Sequence, residues 1–397
     1  MSHWLAGTRP RTPAPAYIAE ALSRRLGRRI SPADAGLGQV PDRDVPSVED
    51  LPGGAALLRL VSADLDPVRR TALREQPFRS DWAVAPDWPE PAVTGCAPAR
   101  RSLEGAVTAV ELMTSAFAAA GEAFGGGHAH ATLAAYLNTG VWAWLRSENP
   151  RSNEHPPLLG SAAVLTYLIA FTCFDNLHHN LAQRYYRVAS RLAAEAGDLT
   201  AHLLVLRGMS TQASFLGYHH HALTLARTAV ERIRRTVPRD VQASLLGSAA
   251  VAHAALGHRA EALAHLADAH RLTDDNDGGT CWRTGGGRSD VDYYTGRALA
   301  ALSDHSRAEE ALRDSLRRRP ATHRRSRMLT TYHLADVQLQ RGSPNAACAT
   351  WSRFVLDYPN IQSARVKLLF DKFRDDLRPH VDNDSVRHVL RISQHLS

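Results

Sequence analysis

Apolar residues recur at helical spacing over most of this chain. From Ser102 to the C-terminal end, alanine and leucine dominate the apolar positions and line one face of each successive predicted helix. The longest strongly apolar run, residues 161–171, is too short to span a bilayer. The pattern therefore predicts an all-α fold in which this run is a buried core helix.

The helical region repeats itself. Five stretches each begin with a small residue or a turn and carry an alanine five positions on, at Ala182, Ala222, Ala262, Ala308 and Ala347. These alanines are 40, 40, 46 and 39 residues apart. In most copies a bulky residue follows four positions later, namely Tyr186, Leu266, Leu312 and Trp351. The period predicts a helical hairpin repeated along an axis, because each pair exposes an apolar face that only its neighbour can cover.

The last copy has Ala335 in its first helix, Gly342 at the turn, Ala347 and Trp351 in its second helix and Pro359 at its end. The copy before it keeps Gly296, Ala308, Leu312 and Pro320. In this pattern the units resemble tetratricopeptide repeats, whose usual period is roughly 34 residues. The resemblance implies an α-solenoid of helical hairpins over residues 101–397, with residues 103–145 as a further hairpin and a concave surface that holds a peptide or protein.

Residues 41–100 differ in composition from the rest of the chain. They contain nine prolines and little sustained periodicity apart from one apolar patch. We interpret them as a proline-rich linker with one short helix. Trp82 and Trp88 in this segment form either a docking patch or, as the simpler alternative, the anchors of an ordered loop.

The N-terminal segment contains the end of one helix and the whole of another. "SHWLAG" ends as a helix does, at Gly7, and Pro10 prevents its continuation. The next helix ends at Gly27, and its apolar positions recur at a spacing that lines one face, at Tyr17, Ile18, Ala21, Leu22 and Leu26. The simplest interpretation of the pattern alone is an ordinary helical hairpin.

Residues 1–40 also resemble the C-terminal half of a Cro and lambda-repressor-like helix-turn-helix domain. "SHWLAG" would be the end of the recognition helix, "TRPR" the turn and "YIAEALSRRLGRRIS" the packing helix. The resemblance implies that His3 reaches base edges and that Arg9 and Arg11 contact backbone phosphates. We expect either that the reading frame continues upstream of Met1 or that this is a degenerate relative without its reading head.

The net charge of +7 gives only weak support to a nucleic-acid partner. Of the 47 basic residues 45 are arginine, which indicates the codon bias of a GC-rich genome. The distribution is more informative, because residues 1–40 alone carry a net charge of +4. The four cysteines stand far apart without a C-x-x-C pair, which favours a reducing cytosol over a disulfide framework or a zinc ribbon.

Motifs that imitate enzyme sites fail on inspection. The loop "DDNDGGTCWRTGGGRS" lacks the phosphate-binding lysine of a P-loop, and Gly285 stands where a calcium loop needs its glutamate. Histidine clusters at His128, His178 and His219 to His221 could bind a metal, but solvated turns are the simpler interpretation. We therefore predict no catalytic residue, no metal, no cofactor and no enzymatic activity.

Together these features predict a cytoplasmic regulator of transcription. Its DNA-binding head is incomplete in this chain, so we expect weak DNA binding, and its repeats bind a peptide or protein. A homodimer is among the expected assemblies, and no membrane association is expected. The alternative is a protein–protein interaction scaffold of tetratricopeptide type without DNA-binding activity.

The repeat register predicts the effect of one substitution. Ala347 lies at a close helix crossing in this register, so Ala347→Leu should overpack the last repeat and destabilise the chain by about 1–3 kcal/mol. Thermal unfolding followed by circular dichroism measures this. An unchanged melting temperature and cooperativity would show that the assigned register is wrong.

Overall fold

The structure is a computed structural model that describes residues 14–26, 30–38, 47–88, 104–147, 155–273 and 287–394. Within these ranges every regular element is helical, which confirms the all-α prediction. The first nine α-helices are α1 Ala14–Leu26, α2 Gly53–Leu65, α3 Pro67–Arg74, α4 Glu104–Phe124, α5 Gly126–Tyr136, α6 Trp142–Ser147, α7 His155–Asp175, α8 His179–Ala196 and α9 Leu199–Phe215. The remaining ones are α10 His219–Glu231, α11 Arg239–Ala254, α12 Arg259–Leu272, α13 Arg288–Ala301, α14 His305–Arg318, α15 Arg324–Gln340, α16 Pro344–Asp357, α17 Ala364–Leu377 and α18 Asp384–Ser393.

The described residues group into two compact units. The first takes its residues from Met1–Val110, Ala131–Phe174 and His178–Leu225, and the second from Glu111–His130, Asp175–Leu177 and Ala226–Ser397. In the first unit α8 packs against α9, α2 and α3. In the second, α11 to α16 pack as consecutive helical hairpins, followed by α17 and α18. This is the packing that a chain of helical repeats requires.

The turn between the two helices of each repeat has the same backbone structure in all five copies. One residue is left-handed, with φ between 61° and 83°, namely Leu177, Gly217, Gly257, Ser303 and Gly342. The next residue donates its N–H to the carbonyl five positions earlier at 2.9–3.0 Å, as Tyr218 does to Ala213 and Asp304 to Leu299. This bond closes the end of the first helix and sends the chain into the second.

The repeated alanines lie where the two helices of each hairpin cross. Ala182, Ala222, Ala262, Ala308 and Ala347 are each 0% exposed. Glycines permit a similar close approach in the second unit. A Cβ added at Gly296 would collide with Leu312 and lie 3.2 Å from Ala308 O, and one at Gly247 would collide with the ring of Tyr294 on the next hairpin. The small residues are therefore required by the helix–helix distance.

The apolar run predicted as a core helix lies within α7. This is the one helix in the described ranges that is long and apolar enough to cross a membrane, and 89% of its most apolar window is buried inside the protein. Leu165, Ile169 and Ala170 are each 0% exposed. Such burial is expected of a core helix, because the apolar surface already has protein neighbours.

The predicted linker contains more structure than its composition suggested. Instead of one short helix, its described part holds α2, α3 and a 3₁₀ turn at Ser80–Trp82. These elements are held by α8, where Tyr185 donates to the buried Asp64 carboxylate at 2.9 Å and Gln183 bonds the backbone N–H and C=O of Arg79, each at 2.8 Å. The hydrophobic pattern of the sequence does not reveal this structure, because the segment is rich in proline, its two helices are short and its contacts are with residues distant in the chain.

A buried ionic cluster stabilises the second unit. Arg325 on α15 pairs with Glu122 on α4 and, at 3.4 Å, with Asp175. Arg365 on α17 contacts the same Asp175 carboxylate at 3.7 Å. Burial would raise the pKa of Glu122, but the Arg325 charge and hydrogen bonds hold it at about 2. The cluster thus keeps Glu122 ionised at neutral pH.

The turns generate a prediction about Ser303. An L-residue in the left-handed region is strained, whereas glycine is not, and the Ser303 side chain is exposed and makes no hydrogen bond to the residues that the structure describes. Ser303→Gly should therefore stabilise the chain by about 0.5–1 kcal/mol, measured from the midpoint of urea unfolding.

Gly257→Ser is the matched control. Gly257 occupies the equivalent turn with φ 77°, and nothing lies within 4 Å of a Cβ placed there. It should lose a similar amount of stability through backbone strain alone. If Ser303→Gly also lowers the midpoint, the backbone conformation assigned to this turn is wrong.

Candidate functional site

The residues that the sequence assigned to DNA lie outside the described part of the chain. His3, Arg9 and Arg11 all precede Ala14, where the description begins. The described parts of the N-terminal segment are α1 and residues 30–38. The predicted base and phosphate contacts therefore stay predictions.

The face of α1 that is buried differs from the face that its apolar residues line. Its buried side chains are Pro15, Ala19 and Ser23, spaced by four residues. By contrast, Tyr17 is 44% and Leu26 58% exposed. The Ser23 hydroxyl donates to Ala19 C=O at 2.7 Å and accepts the Ile30 N–H at 2.8 Å, so it ties the following segment back to the helix. The buried face of α1 is therefore set by the hydrogen bonds of a small polar residue, Ser23, and not by the apolar residues.

The docking partner of α1 is the turn between α9 and α10. The Tyr218 hydroxyl donates to Glu20 Oε1 at 3.0 Å, and Arg24 donates to Leu216 C=O at 3.4 Å. On its other side the Tyr218 ring stacks on Phe78 with centroids 5.1 Å apart. Tyr218 therefore joins three segments of the first unit, namely α1, the segment after α3 and a repeat turn. We call this contact the Tyr218 junction.

The hydroxyl in this junction stays protonated. Burial and the neighbouring Glu20 carboxylate raise the pKa of Tyr218 far above its ordinary value. Burial also raises the pKa of Tyr17 on α1, with smaller effects from Glu75 and Glu20. A hydrogen bond from a protonated hydroxyl to a carboxylate is stronger than a hydrogen bond between two neutral groups. The junction is therefore a stable attachment over the physiological pH range.

A second group of polar side chains lies on the first helices of successive hairpins in the second unit. α13, α15 and α17 pack side by side there. Arg297 donates to the Tyr293 hydroxyl at 3.0 Å, and the Tyr293 ring lies 5.8 Å from the ring of His333. On the next helix, Lys372 donates to the Tyr332 hydroxyl at 3.0 Å. We call these residues, with Asp336 and Arg365, the first-helix cluster.

Positive charge dominates around His333. Burial lowers its pKa well below the ordinary value, and the charges of Arg297, Arg365 and Lys372 lower it further. His333 is therefore neutral at pH 7 and lies among three cations, of which Arg365 already pairs with Asp175 and Lys372 with Asp376. Burial raises the pKa of Asp336 against the opposing effect of Lys372. Such a surface suits a ligand with an anionic group, because the imidazole can also donate or accept a hydrogen bond.

The histidines singled out in the sequence lie at helix starts. His178 precedes α8, and His219 to His221 open α10. Among the residues that the structure describes, no three His, Cys, Asp or Glu side chains are placed to hold a metal ion. The sequence did not reveal that the ring of His253 lies 5.6 Å from that of His258 and 5.3 Å from that of His265, because the three residues lie on two helices and the turn between them.

Comparison with known proteins gives one short match. A family model described as the SP15 N-terminal domain matches residues 1–38. The match covers 38 of the 397 residues, too little to show the family of the whole chain. Neither the curated proteins nor the solved structures contain a match to this chain. The description of the matching family names neither DNA nor a ligand.

The Tyr218 junction generates a prediction about α1. Tyr218→Phe keeps the stacking on Phe78 and removes the bond to Glu20, which at a charged acceptor is worth about 1.5–3 kcal/mol. Amide hydrogens of residues 14–26 should then exchange at least about tenfold faster, measured by hydrogen–deuterium exchange with mass spectrometry.

Tyr332→Phe makes the same chemical change in the other unit and serves as the control. It removes a bond to Lys372 and should leave exchange in residues 14–26 unchanged. Equal exchange in the Tyr218→Phe and unmodified proteins would mean that α1 is held without this hydroxyl.

Proposed function

We propose that this chain is a cytoplasmic regulator of transcription in which helical repeats position an N-terminal DNA-contacting segment. The observation that carries the proposal is the Tyr218 junction. Tyr218 is part of a repeat turn and bonds α1, the helix that follows His3, Arg9 and Arg11 in sequence. A change in the packing of the repeats would therefore move the helix that leads into the proposed DNA contacts.

The first-helix cluster is the proposed site for a peptide or protein partner. It draws side chains from three successive first helices, so an extended ligand could contact several repeats at once. Its cations Arg297 and Lys372 favour an acidic segment in that ligand. Binding there would act on the DNA contacts only to the extent that it changes the balance between two arrangements of the repeats.

A scaffold without DNA-binding activity is the second candidate. The described contacts favour it in one respect, because Arg24 on α1 bonds Leu216 and pairs with Glu20 at 3.7 Å, both within the protein. An arginine used in this way contributes less to a phosphate contact. Both candidates require the same repeats, and they differ in what residues 1–13 do.

A DNA titration separates the two candidates. The purified chain is titrated against labelled duplexes, one from the region upstream of its own gene and one of scrambled sequence, at several salt concentrations. With Arg9 and Arg11 as backbone contacts, we expect dissociation constants of roughly 10⁻⁴–10⁻⁶ M without preference between the duplexes. Arg9→Ala/Arg11→Ala should make the salt dependence shallower by about 2 in log–log slope.

Arg271→Ala/Arg378→Ala removes the same charge from two exposed arginines of the other unit and controls for net charge. It should leave the slope unchanged. If no binding is seen at concentrations 100-fold above the expected dissociation constants, the result supports the scaffold function. Tight, sequence-selective binding would contradict the expectation of weak binding without preference between duplexes.

A further inference from the structure

Three arginine side chains lie over one indole ring in the first unit. The ring belongs to Trp82, which is 7% exposed. The guanidinium carbons of Arg79, Arg184 and Arg187 lie 4.3, 5.0 and 5.1 Å from its centroid. An aromatic face orders a guanidinium while the N–H groups along its edge remain able to donate. We call these four residues the Trp82 patch.

The patch is formed by one helix and the segment that crosses it. Arg184 and Arg187 are three residues apart on α8 and share a face of that helix. Arg79 and Trp82 come from the segment after α3, which the side chain of Gln183 holds against α8 through two hydrogen bonds of 2.8 Å. The arginines are therefore placed by packing and do not meet by chance on flexible loops.

The three guanidinium groups differ in what they already bind. Arg79 pairs with Asp81 at 2.5 Å, and Arg184 donates to Asn180 Oδ1 at 2.9 Å. Arg187 is partly exposed and makes no hydrogen bond or ion pair with the residues that the structure describes. Its donors are therefore the ones available to a ligand.

Arg187 lies among charges of both signs. Burial lowers its pKa; Glu49 has the largest charge effect and opposes this, as Asp81 does, whereas Arg191 and Arg79 lower the pKa further. The guanidinium of Arg191 is itself occupied by the backbone carbonyls of residues 48, 49 and 51. An anion that reached Arg187 would gain charge-assisted hydrogen bonds from its guanidinium.

We propose that the Trp82 patch binds backbone phosphates of DNA, as a second contact beside the N-terminal segment. The proposal rests on the proposed function. Phe78, the residue before Arg79, stacks on Tyr218, which bonds Glu20 of α1. The patch is therefore one residue along the chain from the junction that holds α1, the helix of a segment with net charge +4. The junction thus connects the patch to the segment that carries the proposed DNA contacts.

The test compares two double variants of the full chain in the salt-dependent DNA titration. Arg184→Ala/Arg187→Ala should weaken binding to both duplexes and make the log–log salt slope shallower by about 1, because Arg187 is the arginine whose donors are available to a phosphate. Arg271→Ala/Arg378→Ala, which removes two arginines with side chains 72% exposed in the other unit, should leave the slope unchanged. Arg187→Lys, which keeps the charge, should retain more binding than Arg187→Ala. Circular dichroism checks that each variant is folded.

Each other outcome overturns the proposal in a recognisable way. Equal losses in both double variants would show an effect of net charge and no site. If Arg9→Ala/Arg11→Ala weakens binding and the patch variant does not, the patch has no DNA contact and the proposed function stands. If no DNA binding is seen at all, both fail together. A polyglutamate peptide can also be compared with DNA of equal charge as a competitor for the patch. If the peptide competes equally strongly, the patch binds an acidic protein instead of DNA.

Discussion

The structure depends on one backbone constraint, the left-handed residue that ends the first helix of each hairpin. It forces the N–H of the following residue back onto the helix it has just left, at 2.9–3.0 Å in all five turns. This fixes the direction in which the second helix returns, and it places an alanine five residues later at the crossing of the two helices. A larger residue at that crossing would separate the helices and open the core that adjacent hairpins share.

Both candidate sites follow from this repeated geometry. Because hairpins stack in register, side chains from α13, α15 and α17 meet in the first-helix cluster although they lie far apart in sequence. At the turn between α9 and α10 the same geometry places Tyr218 directly after Gly217, where its side chain meets α1 and Phe78. The repeat turn therefore connects the two helices of its hairpin and also attaches α1.

Charge has a different role in each unit. In the second unit Glu122, Arg325, Asp175 and Arg365 are buried together, and each side chain satisfies another, so the charges join helices. In the first unit the arginines over Trp82 outnumber the nearby carboxylates, so part of the charge remains for a partner. Composition could not distinguish the two uses, because arginine makes up 45 of the 47 basic residues throughout the chain.

The sequence by itself determined the all-α fold, the period of the hairpins, and the alanines at their crossings, because these follow from local helix spacing and from small residues at fixed offsets. It did not determine which face of α1 is buried, since Ser23 is buried because of its hydrogen bonds to Ala19 and Ile30 and not because of hydrophobicity. Nor did it show that residues 53–82 pack on α8, or that His333 lies among three cations. Those features depend on contacts between residues distant in the chain, and only the tertiary structure brings such residues together.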